Sequence, residues 1–335
     1  MNTRALRRVG QLGLFATVGL VAPALTVSPA HAAPPSASAA IVDRTLNIIG
    51  SNAGDNIAIS VANPNLLLVD FGNDGTVEQQ FDRGAFDALN VSLGNGNDRF
   101  TATGVTVPQS STIDGGNGDD SIIGTASPDV IVSGNGNDFV VGGLGHDVAA
   151  LANGDDVFRW DPGEGSDDVD GGNGNDGLLF NGNAASETMS LSAAGTRAVF
   201  SRVHGTIVMN LDAVEQLDLH TFSGADNVTV NDLTGTSLRQ ANVDLSLSGN
   251  GGVRDAEADL VTVNGTNRGD RVDVAGQGTT VDVAGLAARV HLSGSSAADP
   301  DRLQVNTLDG NDTVAVDASA QSLIGVTTDL GAGQL

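Results

Sequence analysis

Five aspartates, Asp120, Asp129, Asp138, Asp147 and Asp156, fall nine residues apart in consecutive segments reading GGNGDDSII, GTASPDVIV, SGNGNDFVV, GGLGHDVAA and LANGDDVFR. A spacing held through five copies means that each copy does the same physical job, and the carboxylate is the part of it that is kept. Glycines crowd the residues before each acid: Gly115, Gly116 and Gly118, then Gly134 and Gly136, then Gly142, Gly143 and Gly145, then Gly154. Turns this tight need positive φ angles, which glycine adopts freely, and they bend backbone carbonyls toward one point. A carboxylate closing such a turn adds hard oxygen to those carbonyls. That is the donor set of calcium, which takes roughly six to eight oxygen ligands in flexible geometry. After a two-residue insertion, Trp160-Asp161, the frame resumes as PGEGSDDVD and GGNGNDGLL, adding Gly163, Gly165 and Asp167, then Gly171, Gly172, Gly174 and Asp176. Upstream, Asp98 closes an equivalent turn.

Position eight of the nonapeptide holds Ile122, Ile131, Val140, Ala149 and Phe158, one inward apolar side chain per repeat. A looser form of the phrase, alternating apolar residues around an aspartate turn, runs nearly the whole chain. It reads Leu46, Ile48, Asp55, Ile57 and Ile59; Leu89, Val91, Asp98 and Phe100; Leu217, Leu219, Asp226, Val228 and Val230. It returns around Asp270 and Asp312, which are 42 residues apart, as are Asp259 and Asp301. Short strands of period two joined by Gly/Asp turns, without a long 3.6-residue periodicity, predict an all-β solenoid of stacked coils. Between Asn183 and Gln216 the turn signature lapses, although Met189 to Leu191 and Thr206 to Leu211 still read as strands. One buried aliphatic per nine residues is thin compensation for the conformational entropy of ordering them. A cation bridging successive turns would neutralise stacked aspartates and tie neighbouring coils together.

Composition points the same way. The 335 residues carry 15 cationic and 41 acidic side chains, every cation is Arg, and the net charge is -26. Such a surface repels nucleic acid and anionic lipid and attracts cations. Cys and Tyr are absent, aromatics make up 3%, and Gly numbers 45, which argues against a conventional core with aromatic anchors. Residues 1–32 read as a secretory signal peptide: Arg4, Arg7 and Arg8, an apolar run from Leu12 to Val27, and Ala30-His31-Ala32 as the cleavage pattern. Its removal takes the charge to about -29 and leaves no stretch long enough to span a membrane. The reading is therefore a secreted, extracellular or cell-surface protein. An exported chain without disulfides must be stapled by other means.

With these residues in view, the chain resembles the repeats-in-toxin (RTX, hemolysin-type) calcium-binding repeat family, whose signature is G-G-x-G-x-D-x-U-x. Gly115 to Ile123 matches in full, and Gly142 to Ala150 and Gly171 to Leu179 match at the key positions. GTASPD, ending in Asp129, lacks the turn glycines. The resemblance implies a right-handed parallel β-roll passing into a β-helix, two nonapeptides per coil, and Ca2+ held by the glycine-aspartate turns. It would set Asp120, Asp138 and Asp156 along one edge and Asp129 with Asp147 along the other. The expected organisation is a signal peptide at 1–32, a flexible leader at 33–40, N-terminal β-helix coils at 41–114, the nonapeptide β-roll at 115–182 and longer coils at 183–335.

Catalytic motifs are missing from the sequence. His146, His204, His220 and His291 sit in neither an H-E-x-x-H zinc motif nor beside a G-x-S-x-G elbow. Glu187, Arg202, His204 and Glu215 share the segment without repeat character and could form an acid-base cluster, but structural roles fit that mixture better. The expectation is a calcium-folded structural, matrix or adhesive protein without catalysis, whose partners beyond calcium are a second copy of itself or surface polymers. The alternative is a β-helix lyase or epimerase acting on polysaccharide, for which a chain without Lys or Tyr offers poor material.

Overall fold

The computed structural model describes residues 37–249 and 251–332. The signal peptide expected at 1–32 lies outside the described residues. The chain winds between two 14-stranded sheets, and their facing sides enclose one continuous apolar core. This is a parallel β-roll that runs into longer coils.

The nonapeptide segment is the most regular part. In the first sheet the strand Asp129–Asn135 lies parallel between Ser111–Asn117 and Val148–Asn153, stacking Ile113, Ile131 and Ala149 in register. In the second sheet Phe139–Val141 lies parallel between Ser121–Ile123 and Val157–Trp160, stacking Ile122, Val140 and Phe158. All six are fully buried. Partners 18 residues apart mean two nonapeptides per coil, and the insertion at Trp160-Asp161 lengthens the next coil, so that Val148 pairs with Asp168. Farther on the coils widen: Asn227 pairs with Leu260, and Leu260 with Arg302.

Three antiparallel meanders interrupt the parallel stack. They are Asn56–Asn63, Leu66–Phe71 and Gln79–Asp82; then Thr188–Ala194, Arg197–Arg202 and Ile207–Asp212; then Arg271–Gln277, Thr280–Ala284 and Arg289–Ser293. The lapse in turn signature between Asn183 and Gln216 is the second of these. The chain crosses to the far side of the inserted strands and folds back, so that Ile207–Asp212 rejoins Asp168–Asp170 in parallel. This meander adds two strands to the first sheet, whereas the first and third each add two to the second.

Of the flexible leader expected at 33–40, residues 33–36 lie outside the described residues and residues 38–40 are ordered in a strand. Ser38, Ala39 and Ala40 belong to the strand Ser38–Val42, which pairs antiparallel with Thr45–Ile49 across a tight turn at Asp43 and Arg44. The hairpin covers an open sheet edge, which explains why small, weakly apolar residues are ordered there.

At the seam the core becomes aromatic. Trp160 stacks on Phe180 with ring centroids 4.1 Å apart, and Phe180 meets Phe200 at 4.4 Å. The Trp160 indole Nε1 donates to the Gly165 carbonyl at 2.8 Å, closing the inserted loop. Arg202 lies over the Trp160 ring and pairs with Glu187, both nearly inaccessible to solvent. Among the described residues no helix is long and apolar enough to cross a membrane.

Truncating the middle ring of this stack should open a cavity that the sheets cannot close. Phe180→Ala is expected to lower stability by about 3–5 kcal/mol, measured by urea unfolding in calcium. A cost below about 1 kcal/mol would mean that the stack is not a packing centre.

Candidate metal centre

Each coil enters its strands through a turn ending in an acid, and these turns stack along two edges. On the edge leading into the second sheet, the main-chain N–H of every acid donates to the carboxylate of the next coil. Asp55 donates to Asp98 (2.6 Å), Asp98 to Asp120 (2.8 Å), Asp120 to Asp138 (2.8 Å) and Asp138 to Asp156 (2.7 Å). The row ends with Asp156 donating to Asp176 and Asp176 to Glu215, both at 2.9 Å. On the opposite edge Asp129 donates to Asp147 (2.8 Å) and Asp147 to Asp167 (2.9 Å). The two groups of aspartates read from the sequence thus lie on separate edges.

Backbone geometry explains the glycines. Gly116, Gly118, Gly134, Gly136, Gly143, Gly145, Gly154, Gly163, Gly172 and Gly174 all have positive φ, as do Gly94 and Gly96 before Asp98. A Cβ on Gly134 would overlap the Gly116 carbonyl one coil away. The first glycine of each turn serves differently. A Cβ on Gly115 would lie 2.6 Å from Oδ2 of its own Asp120, and Gly142 and Gly171 face Asp147 and Asp176 in the same way. Gly165 departs from the pattern: its φ is ordinary, and its carbonyl receives the Trp160 indole.

The electrostatics single out one oxygen per turn. Asp98, Asp120, Asp138, Asp147, Asp156, Asp167 and Asp176 are all buried, and Oδ2 of each has no hydrogen-bond donor. Among the described residues none of the seven forms an ion pair with an arginine. Burial is the largest cause raising their carboxyls, and neighbouring acids add to it for several, against the opposing main-chain hydrogen bonds. Asp120 and Asp156 are pushed up to about 7, Asp147 to about 8, and Asp98, Asp167 and Asp176 to about 6. A row of buried, like-charged oxygens facing bent backbone calls for a cation, and hard oxygen donors select calcium. Bound there, the ion would supply the positive charge that the chain itself withholds.

Asp129 is different. Thr125 stands where the seven turns above have a left-handed residue, glycine in all but Ala152, and its N–H and hydroxyl donate to Oδ2 (2.6 Å) and Oδ1 (2.9 Å). Both oxygens are satisfied within the turn, as the missing glycines of GTASPD foreshadow.

Two arrangements escape a sequence reading centred on aspartate. Asn52, Asn95, Asn117, Asn135, Asn153 and Asn173 form a ladder of side-chain amides at 2.7–2.9 Å along the first edge. The signal is an Asn three residues before every aspartate of that edge. In the loop between Leu66–Phe71 and Gln79–Asp82, Asp70, Asp74 and Glu78 bring ligand atoms within 4.8 Å of one another, an acid at every fourth residue. The mixed cluster considered for catalysis does not assemble. Glu187 and Arg202 are locked together, Glu215 terminates the aspartate row and His204 is exposed.

Comparison with known proteins bears on these turns. Residues 114–149 match the family model of the RTX calcium-binding nonapeptide repeat (4 copies). No curated protein matches. Among solved structures, the extracellular lipase LipA from Serratia marcescens is similar at 16% identity and a TM-score of 0.19, over 58% of this chain and 39% of the lipase chain. The chain thus spans well under half of that lipase's length. The turns within residues 114–149 are RTX-type repeats, and such repeats bind Ca2+.

The raised carboxyls fix the sign of a pH effect. Between about pH 4, where unfolded aspartates ionise, and the folded values of about 6 to 8, the ion-free fold holds protons that the unfolded chain has released. That stability is present below the unfolded value and is lost as pH rises through the folded ones. The melting temperature in chelator is therefore expected to fall from pH 5 to pH 8, and calcium should flatten the slope. A chelated protein that melts higher at pH 8 would contradict this electrostatic account.

Proposed function

We propose that this RTX calcium-binding repeat protein is a secreted structural element that orders and stiffens on binding calcium outside the cell, serving as a matrix or adhesive module. One observation carries the reading: the row of buried aspartate oxygens without donors, stacked coil upon coil. Charge repulsion along that row loosens the chain where calcium is scarce. At millimolar calcium and dissociation constants of about 10⁻⁴ to 10⁻³ M, each site adds roughly 0.4 to 1.4 kcal/mol, and several act together. The signal peptide read at 1–32 would deliver the chain to that calcium. Glu187 and Arg202 pair with each other and Glu215 ends the aspartate row, which fits structural duties for these side chains.

Calcium titration followed by circular dichroism and small-angle scattering tests the switch. The expected result is a gain of β signal and compaction with metal, shifted to higher calcium in a variant carrying Asp120→Asn, Asp138→Asn and Asp156→Asn. Chelated protein as compact and heat-resistant as the loaded form would end the proposal, and release of uronic acid from polyuronate would replace it with a lyase.

A further inference from the structure

We propose that the turn from Thr221 to Asp226 is a further calcium site, shared with Asp259 of the next coil, in a part of the chain that the repeat-family match does not reach. This rests on reading the nonapeptide turns as calcium sites.

The turn reads TFSGAD, which lacks the paired glycines of the nonapeptide. Its backbone nevertheless adopts the nonapeptide shape. Phe222 has φ +64° and Gly224 φ +115°, at the two turn positions where Gly116 and Gly118 have +104° and +121°. A left-handed phenylalanine is strained, so the surroundings must hold it there.

That conformation has a consequence for the acid. In three turns whose second residue is not left-handed, that residue's N–H occupies the carboxylate: Thr125 for Asp129, Asn183 for Glu187 and Thr266 for Asp270. Phe222 turns its N–H away. Asp226 is completely buried, and although its Oδ1 accepts the Glu187 N–H at 2.7 Å, its Oδ2 has no donor.

The next coil repeats the deficit. Asp226 donates its own N–H to Oδ1 of Asp259 at 2.8 Å, and Oδ2 of Asp259, a residue 2% exposed, has no donor. Asp255 uses Oδ1 to accept the Glu257 N–H at 3.0 Å and buries an unpartnered Oδ2. The nearest arginine in sequence does not answer these charges, because Arg254 turns to Asp299 at 3.2 Å. The two buried, donor-less oxygens of Asp226 and Asp259, with no ion-paired cation among the described residues, match the deficit of the nonapeptide row, and the flexible coordination of Ca2+ suits such a turn better than the near-octahedral demand of Mg2+.

Hydrogen exchange on the full chain, with chelator, with calcium and with magnesium, decides the matter without any substitution. Amides of residues 221–226 and 254–259 are expected to gain protection in calcium and little in magnesium. A full-length Asp226→Asn, Asp259→Asn variant should lose about one bound calcium per chain by native mass spectrometry while residues 115–179 keep their calcium-dependent protection. If calcium protects 115–179 but leaves 221–226 and 254–259 unchanged, this inference fails and the proposed function stands. If neither region responds, the proposed function fails as well.

Discussion

A buried aspartate with one oxygen bound to main chain and the other left bare is the constraint on which this molecule turns. Successive coils lie about 4.8 Å apart, so the bare oxygens of one edge repeat at close quarters. At an effective dielectric near 20, two unit charges at that separation repel by about 3 kcal/mol. A stack of such pairs cannot remain ionised, buried and unaccompanied. Protons or metal must share the row, and RTX-type repeats take calcium there.

Around that row the side chains limit the cost. One position before the aspartates of the first edge from Asp98 to Asp176, the residues Asn97, Asp119, Asn137, Asp155 and Asn175 alternate amide and acid, and the first four side chains each accept the main-chain N–H of the next coil. An unbroken acid column there would double the charge density of the turn. The amide ladder two positions earlier adds no charge at all. Glu187 departs from the rule and follows a different solution, since Arg202 neutralises it directly where the aromatic stack excludes water.

The part of this architecture legible in the sequence is the part governed by strict spacing. The nine-residue interval announced both aspartate edges, and the apolar eighth position announced the column of Ile122, Val140 and Phe158. The meanders were not legible, because alternation of period two is the same in parallel and antiparallel strands. Leu191 and Phe200 face the core from antiparallel partners, and nothing in their spacing distinguishes them from residues in stacked coils. The asparagine ladder was overlooked for another reason: attention to charge hides a neutral residue that keeps phase with it. Asp129 carries the period and yet makes its bonds within its own turn, so periodic sequence alone does not separate a ligand from a cap.

The meanders set where order can begin. Parallel coils join residues 18 or more positions apart, such as Ile113 and Ile131, and each pairing must first close that loop. Met189 meets Arg202 across a hairpin, and Ala194 meets Arg197 across its tip. Contacts so local form early in folding, before longer closures are rewarded. The seam hairpin therefore acts as a seed crystal within the chain, presenting ready-made strand edges to which coils add outward in both directions.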